Sequence, residues 1–290
     1  MCRLLGFRSV LQSGVHRSLS SADNALGTQS EFHPDGWGVA YYIGGSPHLI
    51  RSDGQALDDR LFERVSGIAS SQTVVAHVRK ATQGTRSPMN SHPFQYGPWI
   101  FAHNGNIKDF ATKKPVLIEG IDPELRRFIL GDTDSEVLFY LFLSHLQKHG
   151  DLFDSQLPPL AAADALLETI DFVTSIVGPY THRNDDPPTE TFLTCIVTNG
   201  EVMLAHQGGK DLLYSTHKAH CPERESCGYF ADNCERPAVV GEQVNHLIIT
   251  SESLQSDNTW SRMAPGQIIA VDRDMRLQNF GQHLLNAMMI

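Results

Sequence analysis

Met1-Cys2-Arg3-Leu4-Leu5-Gly6-Phe7-Arg8 opens the chain, and its second residue sets how everything after it is read. Methionine ahead of a small side chain is ordinarily trimmed during biosynthesis. Trimming here leaves a first residue that carries both a thiol and a free α-amine. Such an amine titrates at about 7.7–8.0, which suits a general base near neutrality. One residue then holds nucleophile and base together and needs no separate histidine. Cysteine at this position does not establish that alone, because an inert buried or surface thiol is the plain alternative. Leu4, Leu5 and Phe7 alternate loosely, so residues 1–7 read as a short strand with Cys2 at its edge.

Further β-rich runs follow. His33-Pro34-Asp35-Gly36 reads as a turn, residues 37–42 as a strand, and Gly44-Gly45-Ser46-Pro47 as the turn into a partner strand at 48–51. Short apolar runs at 73–78 and 99–103, each ending in polar residues, fit strands buried on both faces. Residues 12–31 read as helix plus loop, and 104–131 as loop with some helix. Thr133-Asp134-Ser135-Glu136 forms a capping-box pattern ahead of an apolar run at 137–143, so a helix begins there. A second helix, rich in Ala and Leu, spans 160–176. After a loop at 182–189, strands at 192–198 and 202–206 flank Asn199-Gly200, a strong hairpin signal. Strands at 245–250 and 267–271 complete the pattern. Strands gathered early and late around central helices predict an α+β fold with helices layered on antiparallel sheets.

Composition narrows the function. The chain has 290 residues, 41% hydrophobic and 19% charged, with a formal charge of −10, ordinary values for a globular protein with a sizeable core. No basic stripe offers itself to nucleic acid, and no polybasic amphipathic segment to a membrane surface. Small molecules or other proteins remain as partners. No run of 18 apolar residues occurs, and the opening is too short and too broken by arginine for a signal peptide, so a cytoplasmic location is expected. Five cysteines, an odd number, argue for reduced thiols rather than a disulfide framework.

Three later blocks complete the pattern begun by Cys2: Ala76-His77-Val78-Arg79-Lys80-Ala81-Thr82, Phe101-Ala102-His103-Asn104-Gly105-Asn106, and Gly131-Asp132-Thr133-Asp134-Ser135-Glu136. In order and spacing they resemble the glutaminase domain of the class II (amino-terminal nucleophile) glutamine amidotransferases. The opening Met-Cys-Arg-Leu-Leu and the chain length are most similar to the stand-alone branch, which includes γ-glutamyl hydrolases such as the one in ergothioneine biosynthesis. The resemblance implies a four-layer αββα sandwich of the Ntn-hydrolase type. It also implies cleavage of a glutamine side-chain amide through a γ-glutamyl thioester on Cys2, with no cofactor and no metal.

The residues assigned by the resemblance suit the chemistry. A γ-glutamyl substrate presents an α-carboxylate and an α-ammonium, so a selective site needs a fixed cation and a fixed anion. Arg79 and Asp134 are the candidates. Asp132 competes with Asp134, which is preferred because the family pattern sets the acid two residues before the glutamate, here Glu136. Attack on the γ-carbonyl creates an oxyanion that needs preorganised donors, and Asn104 with the Gly105 amide match the family's pair. Asn-Gly out of context is more often a turn, but His103 and Asn106 complete the family block. Thr82 is a candidate contact to the α-carboxylate. Trp37 and His92, in blocks similar to the stand-alone branch, are candidate pocket residues, and Ser251 to Trp260 resembles a late block that sets a loop near the site. His217, His220, Cys221, Cys227 and Cys234 cluster without the tight spacings of common zinc modules. They read as an ordinary loop with buried thiols, ahead of a structural zinc or a disulfide.

One glutaminase domain over 2–275 is therefore expected, with residues 276–290 left as an unassigned tail. The expected substrate is glutamine or a γ-glutamyl conjugate. Two alternatives stay open: supply of ammonia to a separately encoded synthase, and a catalytically silent amino-acid-binding module.

Overall fold

Alternation along the β-rich runs sorts their side chains onto two faces, and both faces are covered. The computed structural model describes residues 2–22 and 24–280. The chain runs β1 (Arg3–Gly14), α1 (Leu26–Gln29), β2 (Trp37–Ile43), β3 (Ser46–Ser52), α2 (Arg60–Ile68), β4 (Ser70–Val78), β5 (Phe94–Tyr96), β6 (Trp99–Asn106), α3 (Phe110–Glu119), α4 (Pro123–Arg126), α5 (Asp134–Leu146), α6 (Pro159–Val177), β7 (Phe192–Thr198), β8 (Met203–His206), β9 (Leu213–Ser215), β10 (His246–Thr250), β11 (Ser261–Arg262), β12 (Ile268–Val271) and β13 (Leu277–Phe280). One sheet has the order β11-β9-β10-β1-β4-β2-β3 and the other β13-β12-β8-β7-β6-β5, with antiparallel pairing throughout.

Leu4, Ala40 and Val75 of the first sheet meet Ile100, Ala102, Ile196 and Ala205 of the second in a core between the sheets. Their neighbours Leu5, Val39, Val74 and Ala76 point the other way, under Leu26, Phe62 and Val65 of α1 and α2. On the far side, Trp99 and Phe101 pack beneath α5 and α6. These are the four αββα layers expected of an Ntn-type α+β fold.

The helix predicted at 133–136 begins as expected, with the Thr133 hydroxyl accepting the Glu136 amide at 3.2 Å. Glu136 does not close the reciprocal half of the box. Its carboxylate turns back to accept the amides of Leu130 and Gly131 at 3.0 and 2.7 Å, which fixes the turn entering α5. Three local readings are corrected. β1 runs on to Gly14 into the stretch read as helix plus loop, because β4 supplies a partner as far as Ser70. β6 continues through Asn106, where a loop was expected, because β7 pairs with it to Phe192. The helix α2, capped by the Asp59 carboxylate on the Leu61 amide at 2.8 Å, was not anticipated. Part of the unassigned tail, Leu277–Phe280, forms an edge strand; residues 281–290 lie outside the described residues.

Asn199-Gly200 does turn the chain between β7 and β8. The Asn199 side chain accepts the amides of Glu201 and Val202, and Gly200 has φ +93° with the Tyr42 ring where a Cβ would sit, a site open only to glycine. Cys221, Cys227 and Cys234 are free thiols lining one cavity of about 330 Å³, while His220 faces Glu235.

Candidate active site

Cys2 sits just ahead of β1, whose Arg3 pairs with Val78 at the end of β4. This register lays the thiol against the next residues of the β4 segment: the Lys80 amide donates to Sγ at 3.3 Å and the thiol faces the Lys80 carbonyl at 3.4 Å. Burial pushes the thiol above its ordinary value, while the Lys80 amide and the Arg79 guanidinium pull the other way. Cys2 is 8% exposed, so its nucleophilicity depends on a nearby proton acceptor rather than on spontaneous ionisation.

Arg79 follows Val78 and so belongs to the inner face. Its guanidinium, 2% exposed, donates to the Thr85 carbonyl at 3.0 Å and the Gln83 carbonyl at 2.8 Å, strapping the loop at 81–86 over the strand end. A guanidinium has five N–H donors, so these bonds leave donors for a carboxylate. The same loop is held by the Ala81 amide on Asp35 Oδ2, by Gln83 on Asn106, and by Thr82, whose hydroxyl lies 3.5 Å from the Gly105 carbonyl.

On the facing sheet, Asn104 shares the inner side with Ile100 and Ala102. It is 3% exposed, and its Oδ1 has no hydrogen-bond partner among the described residues. Buried side-chain polar atoms are almost always paired, so this carbonyl oxygen is an acceptor still free. His103 points the opposite way. Burial lowers its pKa and favours the neutral ring; Nε2–H then donates to the Phe192 carbonyl at 2.9 Å, and Nδ1 lies 2.9 Å from the Ser135 hydroxyl. A Cβ on Gly105 would fall 2.1 Å from both that ring and that carbonyl, so the position excludes any side chain.

The ladder settles where the Gly105 amide points. Gly105 lies opposite Leu193, whose own amide turns away to the Gly208 carbonyl at 2.8 Å. In an antiparallel pair of that kind both residues direct N–H and C=O outward. Strand β5 covers β6 only from Trp99 to Phe101, so Gly105 faces an uncovered edge, toward Thr82 and the Arg79 loop. Asp134, 2% exposed at the first position of α5, accepts the Ile107 amide at 2.7 Å and the Ser135 amide at 2.9 Å. Burial raises its pKa, and His103 and these bonds offset the rise.

Cys2, Arg79, Thr82, Asn104, Gly105 and Asp134 thus come from both sheets and one helix start to the same end of the sandwich. The profile of the class-II glutamine amidotransferases matches residues 1–284. The chain belongs to that family.

Among its relatives is a yeast protein named "Probable glutamine amidotransferase DUG3" (Saccharomyces cerevisiae), 33% identical over 224 residues. That alignment takes in 70% of this chain and 62% of the yeast protein, so the chain spans less than two thirds of that relative's length. The γ-glutamyl-hercynylcysteine sulfoxide hydrolase of Mycobacterium tuberculosis is 32% identical over 117 residues, 37% of this chain and 50% of that one. A glutamine aminotransferase class-II domain protein from Silicibacter pomeroyi shares the fold, with a TM-score of 0.62 at 18% identity over 97% of this chain and 99% of that one.

One expectation for the pocket needs revision. Trp37 does not line it: the indole is fully buried on the outer face, edge-on to Phe62 at 5.1 Å, with its N–H donating to Asp59 at 2.9 Å. It faces away because it stands opposite Val78, one position out of phase with Arg79. His92 is buried, its ring 4.2 Å from that of His77 and within the field of Arg79. Neither nitrogen of the His92 ring has a hydrogen-bond partner among the described residues.

Burial holds both histidines well below the ordinary value, with Arg79 adding to the effect. The unfolded chain takes up protons below about pH 6.5 that the folded chain refuses, so stability is complete above that pH and declines as pH falls toward the depressed folded values. Between pH 7.5 and 5.5 each such histidine therefore costs stability, on the order of 1 kcal/mol. His92→Gln is expected to lose about that much less than the parent over the same interval, measured by urea denaturation at the two pH values.

Sequence reading missed Asn90. Its Nδ2 donates to the Thr85 carbonyl at 3.0 Å while its Oδ1 accepts the Asp132 amide at 3.0 Å, tying the Arg79 loop to the turn that delivers Asp134. The Asn-Ser-His-Pro block that contains it was visible, but nothing local marks which side chain bridges two distant loops.

Proposed function

We propose that this amidotransferase hydrolyses the γ-amide of glutamine or of a γ-glutamyl conjugate, through a γ-glutamyl thioester on Cys2. Once Met1 is removed, the α-amine of Cys2 takes the thiol proton and the thiolate attacks the γ-carbonyl. Asn104 Nδ2 and the Gly105 amide donate to the oxyanion, and the α-ammonium returns its proton to the departing amine. Water then releases glutamate and regenerates the thiol. Arg79 binds the α-carboxylate with Thr82 beside it, and Asp134 binds the α-ammonium. The observation that carries this reading is the outward Gly105 N–H next to the inward Asn104 side chain, at the end of the sandwich where Cys2 and Arg79 also lie. Residues 2–275 form one glutaminase domain in this reading, and reduced thiols fit a cytoplasmic setting. The similarity to the mycobacterial γ-glutamyl-hercynylcysteine sulfoxide hydrolase supports a conjugate over free glutamine.

Glutamine and a conjugate differ only in the leaving group. Glutamate release from glutamine, from a γ-glutamyl dipeptide and from γ-glutamyl-p-nitroanilide, compared as kcat/KM, tests the reading. A preference of tenfold or more for amine leaving groups supports a hydrolase of conjugates, and a preference for glutamine supports ammonia supply to a synthase. No glutamate from any of them, by protein whose mass shows Met1 removed, overturns catalysis and leaves the binding module.

A further inference from the structure

Strand β1 is held on both edges, but unequally at its first residues. On the β4 side, pairing runs to Arg3 opposite Val78, and Cys2 itself rests on Lys80. On the β10 side, main-chain pairing ends with Leu5 opposite Thr250. From there a side chain carries the ladder on. The Leu4 amide donates to the Ser251 hydroxyl at 3.0 Å, and the Ser251 amide donates to the Leu4 carbonyl at 3.1 Å. Leu4 is fully buried and Ser251 is 8% exposed. One residue further on, Glu252 pairs with Arg3, and an Arg3 Nη1 lies 3.4 Å from the Cys2 carbonyl.

We infer that Ser251 is a positioning residue for the nucleophile. Its hydroxyl stands in for the carbonyl that β10 would have supplied. Without it the Leu4 amide is left buried and unpaired, unless the segment of Cys2 to Leu4 shifts to find another acceptor. Such a shift carries Cys2 directly, because Leu4 is two residues away and no regular pairing on that edge lies nearer the terminus. Misplacing a reacting atom by about 1 Å costs on the order of 10²-fold in rate while leaving substrate affinity little changed. The Arg3–Glu252 pair is too exposed to take over this role. The inference rests on the reading of Cys2 as nucleophile.

The test compares the parent chain with Ser251→Ala and Ser251→Thr. It follows kcat and KM for a γ-glutamyl substrate and the rate of Cys2 labelling by the glutamine-like reagent 6-diazo-5-oxo-norleucine, read by mass. Ser251→Ala is expected to lower kcat and the maximal labelling rate about 10- to 100-fold with KM within about twofold, and Ser251→Thr, which keeps the acceptor, to recover most of the loss. Hydrogen exchange at the Leu4 amide should quicken in Ser251→Ala alone. A Ser251→Ala protein that labels as fast as the parent overturns the inference while leaving the nucleophile reading intact, and so does a Thr variant as slow as Ala. A parent chain that lacks Met1 yet takes no label at Cys2 fails at the earlier step and removes both. Should Ser251→Ala not fold, Ser251→Cys preserves the shape with a much weaker acceptor and is held to the same outcomes.

Discussion

A Cys2→Ala protein is expected to retain its fold and lose the reaction, with kcat falling by about 10⁶-fold, the scale seen when a covalent nucleophile is deleted. The Cys2 side chain contributes little to the core: its sulfur makes long contacts to Lys80, and the strand behind it is secured by pairing on both edges. The melting temperature should therefore move by only a few degrees, and intact-protein mass should show no adduct with 6-diazo-5-oxo-norleucine. A chain that keeps Met1 should match the alanine variant in activity although its thiol is present, because an amide nitrogen cannot serve as base. Comparing the two separates loss of the nucleophile from loss of the base. An alanine variant that still hydrolyses the substrate at more than about a hundredth of the parent rate would rule out the thioester route.

Asn104→Ala carries the second large effect. Loss of one oxyanion donor lowers kcat by about 10²–10³, or roughly 2.7–4 kcal/mol of transition-state stabilisation. Because the oxyanion exists only after attack, KM should hold nearly constant. The distinctive part is stability. The Oδ1 of Asn104 has no partner among the described residues, so the substitution breaks no bond there and should leave urea midpoints almost unchanged. Asn106→Ala, two positions along the same strand face, removes bonds to Gln83 and to the Glu190 carbonyl and should lower stability. A paired measurement in which Asn104→Ala destabilises as much as Asn106→Ala, with kcat spared, would assign Asn104 to the scaffold.

How much of this was legible beforehand differs from element to element. The start of α5 was readable because capping is local: Thr133 and the Glu136 amide are three residues apart. The destination of the Glu136 carboxylate was not, since it depends on a turn that folds back from Leu130. Trp37 was misassigned for a general reason. With both faces of the sheet covered, Val74, Val75, Ala76 and Val78 are all apolar, so periodicity carries no phase and the inner face cannot be told from the outer. Asn104-Gly105 lies within a strand, because pairing with β7 overrides the turn preference of Asn-Gly. Bridges between distant loops, such as Asn90 and Ser251, leave no local trace.

The uncovered edge of β6 beyond Phe101 has a pharmacological consequence. Sheet edges recruit extended chains, and here the recruiting groups would be those proposed to stabilise the oxyanion. The loop at 81–86 lies over this stretch, with the Thr82 hydroxyl 3.5 Å from the Gly105 carbonyl, so an extended peptide that displaced the loop would meet those groups and compete directly with substrate. Inhibitors of that type would owe their selectivity to the flanking loops at 81–86 and 188–190 rather than to the proposed amino-acid pocket.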